Sequence, residues 1–152
     1  MANTAALCTS FKQDLLNGLH AFGTSVVRGA TTADTFKAAL YLATATIGAA
    51  TTAYSATNEV SGTNYTAGGV TVTNATAPTT SGTTAFWTPS ANFVWTTVTL
   101  STAFDCVLLY NSTAAGKNSV GSYTFGSQTV TAGTFTLTMP ANASATALVQ
   151  IA

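Results

Sequence analysis

The sequence predicts a mainly β fold, of the β-sandwich or jelly-roll type, from residue 34 to the end of the chain. Short runs in which large and polar side chains alternate recur along this part, which is the pattern of half-buried strands. Threonine, a β-branched residue that favours pleated surfaces, is abundant in these runs. Clusters of Gly, Asn and Pro separate the runs and supply turns. Seven or eight short strands with turn signals between them are typical of sandwiches and jelly rolls.

An amphipathic helix is predicted near the N-terminus, over residues 10–22. The segment Ser10 to Gln13 has a capping-box pattern. The apolar residues that then fall on one helical face are Phe11, Leu15, Leu16, Leu19 and Phe22. Gly23 follows at the position where a glycine commonly ends a helix. We therefore divide the chain into an N-terminal arm, residues 1–33, which we expect to contact a neighbouring molecule, and a β-sandwich domain, residues 34–152.

The predicted strands follow in order along the β-sandwich domain. They are residues 35–42, 70–73, 93–100, 105–110, 122–125, 127–130, 135–139 and 147–151. The run at 105–110 is apolar throughout, as expected of a central strand. Gly126 separates two of the runs, which are predicted to form a hairpin around it. Residues 43–57 and 74–85 are rich in small and hydroxyl-bearing residues and are predicted to be long loops, which in a compact domain usually make functional contacts or are disordered.

Charged residues are unusually rare. The chain has four Lys or Arg and four Asp or Glu among 152 residues, whereas about a quarter of the residues of an average soluble domain are charged. Because charges keep crowded proteins apart, their scarcity at zero net charge favours association. This composition is typical of a chain that packs against copies of itself or against a larger assembly, and it argues against a free cytosolic enzyme.

The same composition argues against several other classes of protein. The chain has no stretch of about 18 apolar residues that would predict a transmembrane helix. Residues 1–4 show neither the basic nor the apolar part of a signal peptide. The four basic residues are scattered, so that no stripe for nucleic acid is predicted. Cys8 and Cys106 lie far apart and, without a secretory signal, are expected to be reduced core residues.

The sequence contains no strong catalytic or metal-binding pattern. His20 is the only histidine, and its offset from Asp14 does not place the two side chains on one helical face. A surface or interface role for His20 is therefore favoured over a catalytic triad. One His and two distant Cys are too few for a zinc site, and the carboxylates lack the spacing of a calcium loop. We expect neither enzymatic activity nor a cofactor; a paired-carboxylate glycosidase is the enzyme class left open.

Apolar and aromatic side chains are the main candidates for intermolecular contacts. The tryptophans and tyrosines could form a sugar-binding platform, but a core or interface role is favoured because aromatic residues dominate both. The candidate interface residues are Phe11, Leu15, Leu19, Phe22, Trp87 and Trp95. Glu59 and Lys37, two of the rare charges, are expected to form an ion pair that fixes a loop. Gly68–Gly69 is predicted to be a turn, since no lysine follows it as in a phosphate-binding loop.

Three segments of the chain are distinctive: Asp34–Tyr41, Asn58–Gly69 and Leu108–Asn111, in that order. The specific part is the sequence Glu-Val-Ser-Gly from Glu59, followed by Tyr-Thr-Ala-Gly-Gly from Tyr65. In these segments the chain resembles a family of small virion structural proteins of tailed bacteriophages. The resemblance covers most of the chain from Phe11 onward, and it implies a virion component without catalytic residues.

Within the virion, we favour a capsid decoration, or cement, protein. Such a protein bridges and stabilises subunits of the major capsid protein through many weak contacts that are repeated by symmetry. We then expect a protein that is made in the host cytoplasm, lies on the capsid surface and associates into a homo-oligomer. Neither nucleic acid nor a membrane is expected as a partner. Two alternatives stay open: a tail, neck, adaptor or fibre component of the virion, and a carbohydrate-binding module for receptor recognition.

Overall fold

The computed structural model describes residues 3–8, 10, 11, 15, 19, 20, 22 and 33–152. Strands dominate these residues and helix is almost absent from them, so the predicted mainly β fold class is confirmed. The strands are β1 (Ala6–Leu7), β2 (Phe36–Leu42), β3 (Val70–Thr71), β4 (Thr79–Ser81), β5 (Thr84–Trp87), β6 (Phe93–Asn111), β7 (Ser119–Leu137) and β8 (Val149–Ile151).

The strands form two antiparallel sheets. The larger sheet has the order β1-β7-β6-β2-β3, and the smaller one has the order β4-β5-β8. Trp87 of β5 and Val149 of β8 are buried in the same hydrophobic cluster as Phe36 of β2 and Leu108 of β6. Side chains of both sheets therefore share one core, which is how two sheets pack in a sandwich.

The two longest strands, β6 and β7, form a single hairpin of 19 residues on each side. Two separate strands were expected at 93–100 and 105–110, but the chain between them stays extended and several register shifts absorb the irregularity. The hairpin predicted around Gly126 is wrong, because Gly126 lies inside β7. The register there shifts between Phe104 and Cys106 of β6, and a glycine within a strand often marks such a bulge.

The two predicted loops have different outcomes. The described residues 43–57 contain none of the strands, as predicted. The prediction for 74–85 is partly wrong, because β4 and the start of β5 lie in this segment. All three residues of β4 are exposed, so its sequence has no alternation of apolar and polar residues from which a strand could be predicted.

The N-terminal arm belongs to the β domain wherever the structure describes it. Ala6 and Leu7 pair with Ser122 and Gly121 of β7, and the side chains of Cys8 and Phe11 are fully buried. These residues extend the larger sheet and fill its core, so they do not form an arm apart from the β domain. The expected contact of residues 1–33 with a neighbouring molecule stays a prediction.

The predicted helix over residues 10–22 lies mostly outside the described residues. Ser10, Phe11 and Leu15 have helical backbone, whereas Leu19, His20 and Phe22 do not. The predicted end of the helix at residue 22 is therefore wrong. Packing explains the difference, since Phe22 stacks on Phe36 of β2 with a ring-centroid distance of 4.6 Å.

Candidate functional site: a buried carboxylate among tyrosines

Glu59 is held against the larger sheet by its own backbone. It lies in the loop between β2 and β3 and forms an isolated antiparallel bridge with Tyr41. The next residue, Val60, donates its amide hydrogen to the carbonyl of Leu40. These contacts fix the start of the distinctive Glu-Val-Ser-Gly segment on β2. The Glu59 residue is only 9% exposed, so its carboxylate needs partners within the protein.

The Glu59 carboxylate accepts three hydrogen bonds from neutral groups. The Tyr54 hydroxyl donates to Oε2 at 2.6 Å, and the Tyr65 hydroxyl and the Gly68 amide donate to Oε1 at 2.8 and 2.7 Å. Hydrogen bonds to an ionised acceptor are about twice as strong as those between neutral groups. These donors, rather than Lys37, hold the carboxylate, which corrects the expected ion pair.

Further tyrosines complete what we call the Glu59 cluster: Glu59, Tyr41, Tyr54, Tyr65 and Tyr110. The Tyr110 hydroxyl donates to the Gly68 carbonyl at 2.9 Å, and the Tyr65 hydroxyl accepts from the Leu40 amide at 3.0 Å. The rings of Tyr54 and Tyr110 are stacked, with centroids 4.7 Å apart. The cluster thus connects β2, β6 and the long loop between β2 and β3.

The tyrosines of the cluster are strongly biased toward their neutral form. Burial raises the pKa of Tyr41, Tyr54 and Tyr65, and the neighbouring Glu59 carboxylate raises it further. The same two causes raise the pKa of Tyr110 to about 12. All four hydroxyls therefore stay protonated near neutral pH and can act as hydrogen-bond donors to the carboxylate or to backbone carbonyls.

The paired glycines of the motif allow the loop to approach β2 closely. Gly68 and Gly69 both have positive φ, at +90° and +73°, and the Gly69 amide donates to the Thr66 carbonyl, so the predicted turn is confirmed. A Cβ on Gly69 would lie only 1.8 Å from the carbonyl oxygen of Ala38. A glycine at position 69 is thus required for packing of the turn against β2.

The predicted interface residues do not form a common surface. Phe11, Trp87 and Trp95 are 0%, 2% and 4% exposed, and Leu15, Leu19 and Phe22 are half-buried. The predicted interface role is therefore corrected for the three buried residues, because their large rings fill the core. Any contact with a partner through Leu15, Leu19 or Phe22 stays a prediction.

Several of these residues meet in an internal aromatic cluster. Phe22 lies 4.6 Å from Trp87, and Phe11 lies 5.0 Å from His20, between ring centroids. His20 is 8% exposed, and its Nδ1 lies 3.2 Å from the side-chain nitrogen of Asn111. The expected surface position of His20 is therefore wrong. Its place among rings is that of a core histidine.

Formal charge is confined to few places among the described residues. The five charged residues described are Asp34, Lys37, Glu59, Asp105 and Lys117. Only Lys117 is exposed, and its ammonium group lies 5.2 Å from the centre of the Tyr54 ring. Asp105 accepts a hydrogen bond from Asn3 at 2.6 Å, and Asp34 accepts one from Asn111 at 2.9 Å. Residues 60–104 and 118–152 contain no charged residue at all.

The remaining groups with possible chemical roles are dispersed. Within the described ranges, no group of three or more His, Cys, Asp or Glu side chains is placed to hold a metal ion. Cys8 and Cys106 are buried free thiols, and burial raises the pKa of Cys106 to about 12. In the part of the chain that the structure describes, no helix has the length and apolar character to cross a membrane. The chain matches no protein-family model, no curated protein and no solved structure.

We expect the substitution Glu59→Ala to lower the free energy of unfolding by about 2–4 kcal/mol. It leaves two tyrosine hydroxyls and one buried amide without their acceptor, and each such loss costs about 1–3 kcal/mol before relaxation. Glu59→Gln should cost less, since its amide oxygen still accepts. Urea denaturation followed by circular dichroism measures the effect, with the exposed neighbour substitution Thr57→Ala as the matched control. Equal stability of Glu59→Ala and Thr57→Ala would show that the cluster does not stabilise the fold.

Proposed function

We propose that this chain is a non-enzymatic structural protein of a bacteriophage virion, and that it acts as a capsid decoration protein that bridges and stabilises subunits of the major capsid protein. The observation that carries the proposal is the scarcity of charge at the surface of the described residues, where Lys117 is the only exposed charged side chain. A protein that diffuses freely is kept apart from others by surface charge. A subunit that is permanently held in an assembly has no such need.

The Glu59 cluster supports a structural role. The motif on which the resemblance to virion proteins rests supplies Glu59, Tyr65 and the Gly68–Gly69 turn, and all of these bind other parts of the same chain. Both carboxylate oxygens of Glu59 accept hydrogen bonds from the cluster. The motif therefore serves to hold a long loop on the sheet, which suits a protein whose task is to present a fixed surface.

The surface chemistry suits attachment through many weak, uncharged contacts. Exposed positions of the strands are largely threonine and serine, as in β4 and the second half of β7. Hydroxyl groups can hydrogen-bond a neighbour at a much lower desolvation cost than charged groups. Individual contacts of this kind are worth about 0.5–1.5 kcal/mol, and icosahedral repetition would multiply them.

A tail, neck, adaptor or fibre component would share this uncharged surface, so position in the particle separates the two proposals. Electron micrographs of particles that lack the chain should show unstable heads if it decorates the capsid, and intact heads with defective tails in the alternative case. A carbohydrate-binding role has less support, because Tyr41, Tyr110, Trp87 and Trp95 are buried and offer no platform for a sugar.

We expect attachment to the particle to resist salt and to fail in urea. At about 1 M NaCl the Debye length is only about 3 Å, so contacts that depend on charge would be lost, whereas apolar burial and uncharged hydrogen bonds would persist. Urea solvates both apolar and peptide groups. Sedimentation of purified particles after each treatment, with electrophoresis of pellet and supernatant, measures the bound fraction. Release by salt alone, with the fold intact by circular dichroism, would contradict the proposed mode of attachment.

A further inference from the structure

The outer edge of β7 is the longest open strand edge among the described residues. On one side β7 pairs with β6 over its whole length. On the other side, among the described residues, pairing is confined to Gly121 and Ser122, which pair with β1, and to Val120, whose carbonyl accepts from the Cys8 amide. From Thr124 to Leu137 no other described segment forms a backbone hydrogen bond with this edge. The other strands at the sheet margins, β1, β3, β4 and β8, are two or three residues long.

The opposite side of the same ribbon is covered. The outer edge of β6 receives the loop between β2 and β3: the Thr99 amide donates to the Thr63 carbonyl, and the Asn64 side chain donates to the Thr97 carbonyl at 2.8 Å. The Ala43 amide donates to the Ala103 carbonyl. The fold thus protects one edge of the ribbon and leaves the other edge open.

The open edge lacks two of the features that usually prevent strands from pairing, charged residues and proline. Natural proteins protect edges with charged residues, especially lysine, with proline, or with bulges. The segment from Thr124 to Leu137 contains neither a charged residue nor a proline. It has a bulge at Ala132, which has a positive φ of 46°. Beyond this bulge, five residues continue to the end of β7, and over Gly133–Leu137 half-buried and exposed residues alternate regularly.

Residues Gly133–Leu137 of one copy are complementary to the same residues of a second copy. In an antiparallel pair related by a two-fold axis at Phe135, Thr134 lies opposite Thr136, Phe135 lies opposite itself, and Gly133 lies opposite Leu137. Pairs of threonines and pairs of aromatic residues across strands are favourable, and a glycine leaves room for a leucine. Because the edge is uncharged, the two identical edges meet without repulsion.

We propose that two copies of this chain associate through Gly133–Leu137 of β7, antiparallel about a two-fold axis at Phe135. The two ribbons of β6 and β7 then form one continuous sheet. The association closes at two copies, since each copy uses the longest open edge among its described residues and an isologous contact pairs both of these edges. The inference depends on the edge alone and does not require the proposed role in a virion.

The test measures the molar mass of the isolated protein in solution by light scattering after gel filtration, over a range of concentrations. The wild-type chain should approach twice its 15.3 kDa monomer mass at high concentration. The double substitution Thr134→Lys with Thr136→Lys, at two exposed positions, should stay monomeric, because each new lysine faces a lysine of the other copy. Thr96→Lys places a lysine at an exposed position of β6 in the same ribbon and should dimerise like the wild type.

A cysteine experiment tests the register. Cys8 and Cys106 are buried, so cross-linking under mild oxidation should come from cysteines introduced at the edge. A mixture of the Thr134→Cys and Thr136→Cys proteins should give disulfide-linked dimers in at least tenfold excess over either protein alone. A monomeric wild type, dimers that persist in the double-lysine variant, or equal cross-linking of each cysteine variant alone would overturn the proposal. None of these results would alter the salt and urea experiment on particles, so the two proposals can fail separately.

Discussion

Raising the pH above about 10 should unfold this protein cooperatively, with most of the loss of stability between about pH 10 and 12. A tyrosine in the unfolded chain has a pKa of about 10, whereas burial and the Glu59 charge raise the pKa of Tyr41, Tyr65 and Tyr110 in the folded state. Burial also raises the pKa of Tyr123. Between the two pKa values the folded state binds more protons than the unfolded state. The free energy of unfolding therefore has its full value below pH 10. It decreases as the pH rises toward the pKa values of the tyrosines in the folded state.

The expected effect is large because several tyrosines act together. Between its unfolded-state and folded-state pKa, each buried tyrosine lowers the free energy of unfolding by about 1.4 kcal/mol for every pH unit by which the pH is raised. Three such groups would remove roughly 4 kcal/mol per unit, which is comparable with the whole stability of many small domains, about 5–15 kcal/mol. Solvent screening makes the contribution of the more exposed Tyr54 smaller.

The measurement follows two signals during an alkaline titration. Tyrosinate absorbance near 295 nm should stay low up to the transition and then rise together with the loss of the β signal in circular dichroism. A parallel titration in concentrated urea supplies the reference for freely ionising tyrosines. If tyrosinate instead appeared gradually from pH 9.5 with an unchanged circular dichroism spectrum, the hydroxyls would be accessible and the Glu59 cluster would not hold them.

The substitution Gly69→Ala should lower the free energy of unfolding by more than about 4 kcal/mol, or prevent folding. The added Cβ would lie 1.8 Å from the carbonyl oxygen of Ala38 and 2.7 Å from the Cα of Ala39, and both are backbone atoms of β2. A strand in the middle of a sheet cannot move away without breaking its own ladder, so overpacking at this site exceeds the usual cost of about 1–3 kcal/mol. The positive φ of 73° adds about 1–2 kcal/mol of backbone strain.

Gly82 offers a matched control for this substitution. It has a similar positive φ of 60°, but a Cβ there would meet no atom within 4 Å. Gly82→Ala should therefore show only the conformational penalty of about 1–2 kcal/mol. Thermal and urea denaturation measure the loss of stability in both variants. The difference between the two losses is the cost of the steric contact at Gly69, because the backbone strain is common to both. Similar losses in the two variants would mean that the turn at Gly68–Gly69 is not packed as closely on β2 as described.

The sequence allows the fold class and most strand positions to be predicted, because alternation of side chains reports which residues face a core. It identifies β2 and residues 93–100 of β6 in this way, and the continuous apolar run identifies residues 105–110 of β6. It fails for β1 and β4, since both residues of β1 are half-buried and all three residues of β4 are exposed, so that neither strand shows an alternation. It also places a turn at Gly126, because a glycine in a strand and a glycine in a turn have the same appearance in a sequence.

The candidate site could be predicted only in part. Glu59 and the turn at Gly68–Gly69 stand out in the sequence, and Tyr65 lies in the same segment. Tyr41 and Tyr110 could not be connected with them, because pairing between β2 and β6 brings these two residues together from distant parts of the chain. Tyr54 lies only five residues before Glu59, but its place depends on a hydrogen bond from its amide to the distant Lys117 carbonyl. The wrong prediction of interface residues has a related cause. Phe11, Trp87 and Trp95 are large and apolar, and the sequence does not show whether such a residue packs within a subunit or between subunits.

The position of β1 has a consequence for how the chain is made. Ala6 pairs with Ser122, and Asn3 donates a hydrogen bond to Asp105, so these residues have partners that are synthesised much later. Translation proceeds at about 5–20 residues per second, and β7 follows the N-terminus by roughly 6–24 s. During this interval β1 and Cys8 lack their backbone partners in β7. The larger sheet is therefore complete only after β7 has been synthesised, and the order of synthesis is the reverse of what early folding of β1 would need.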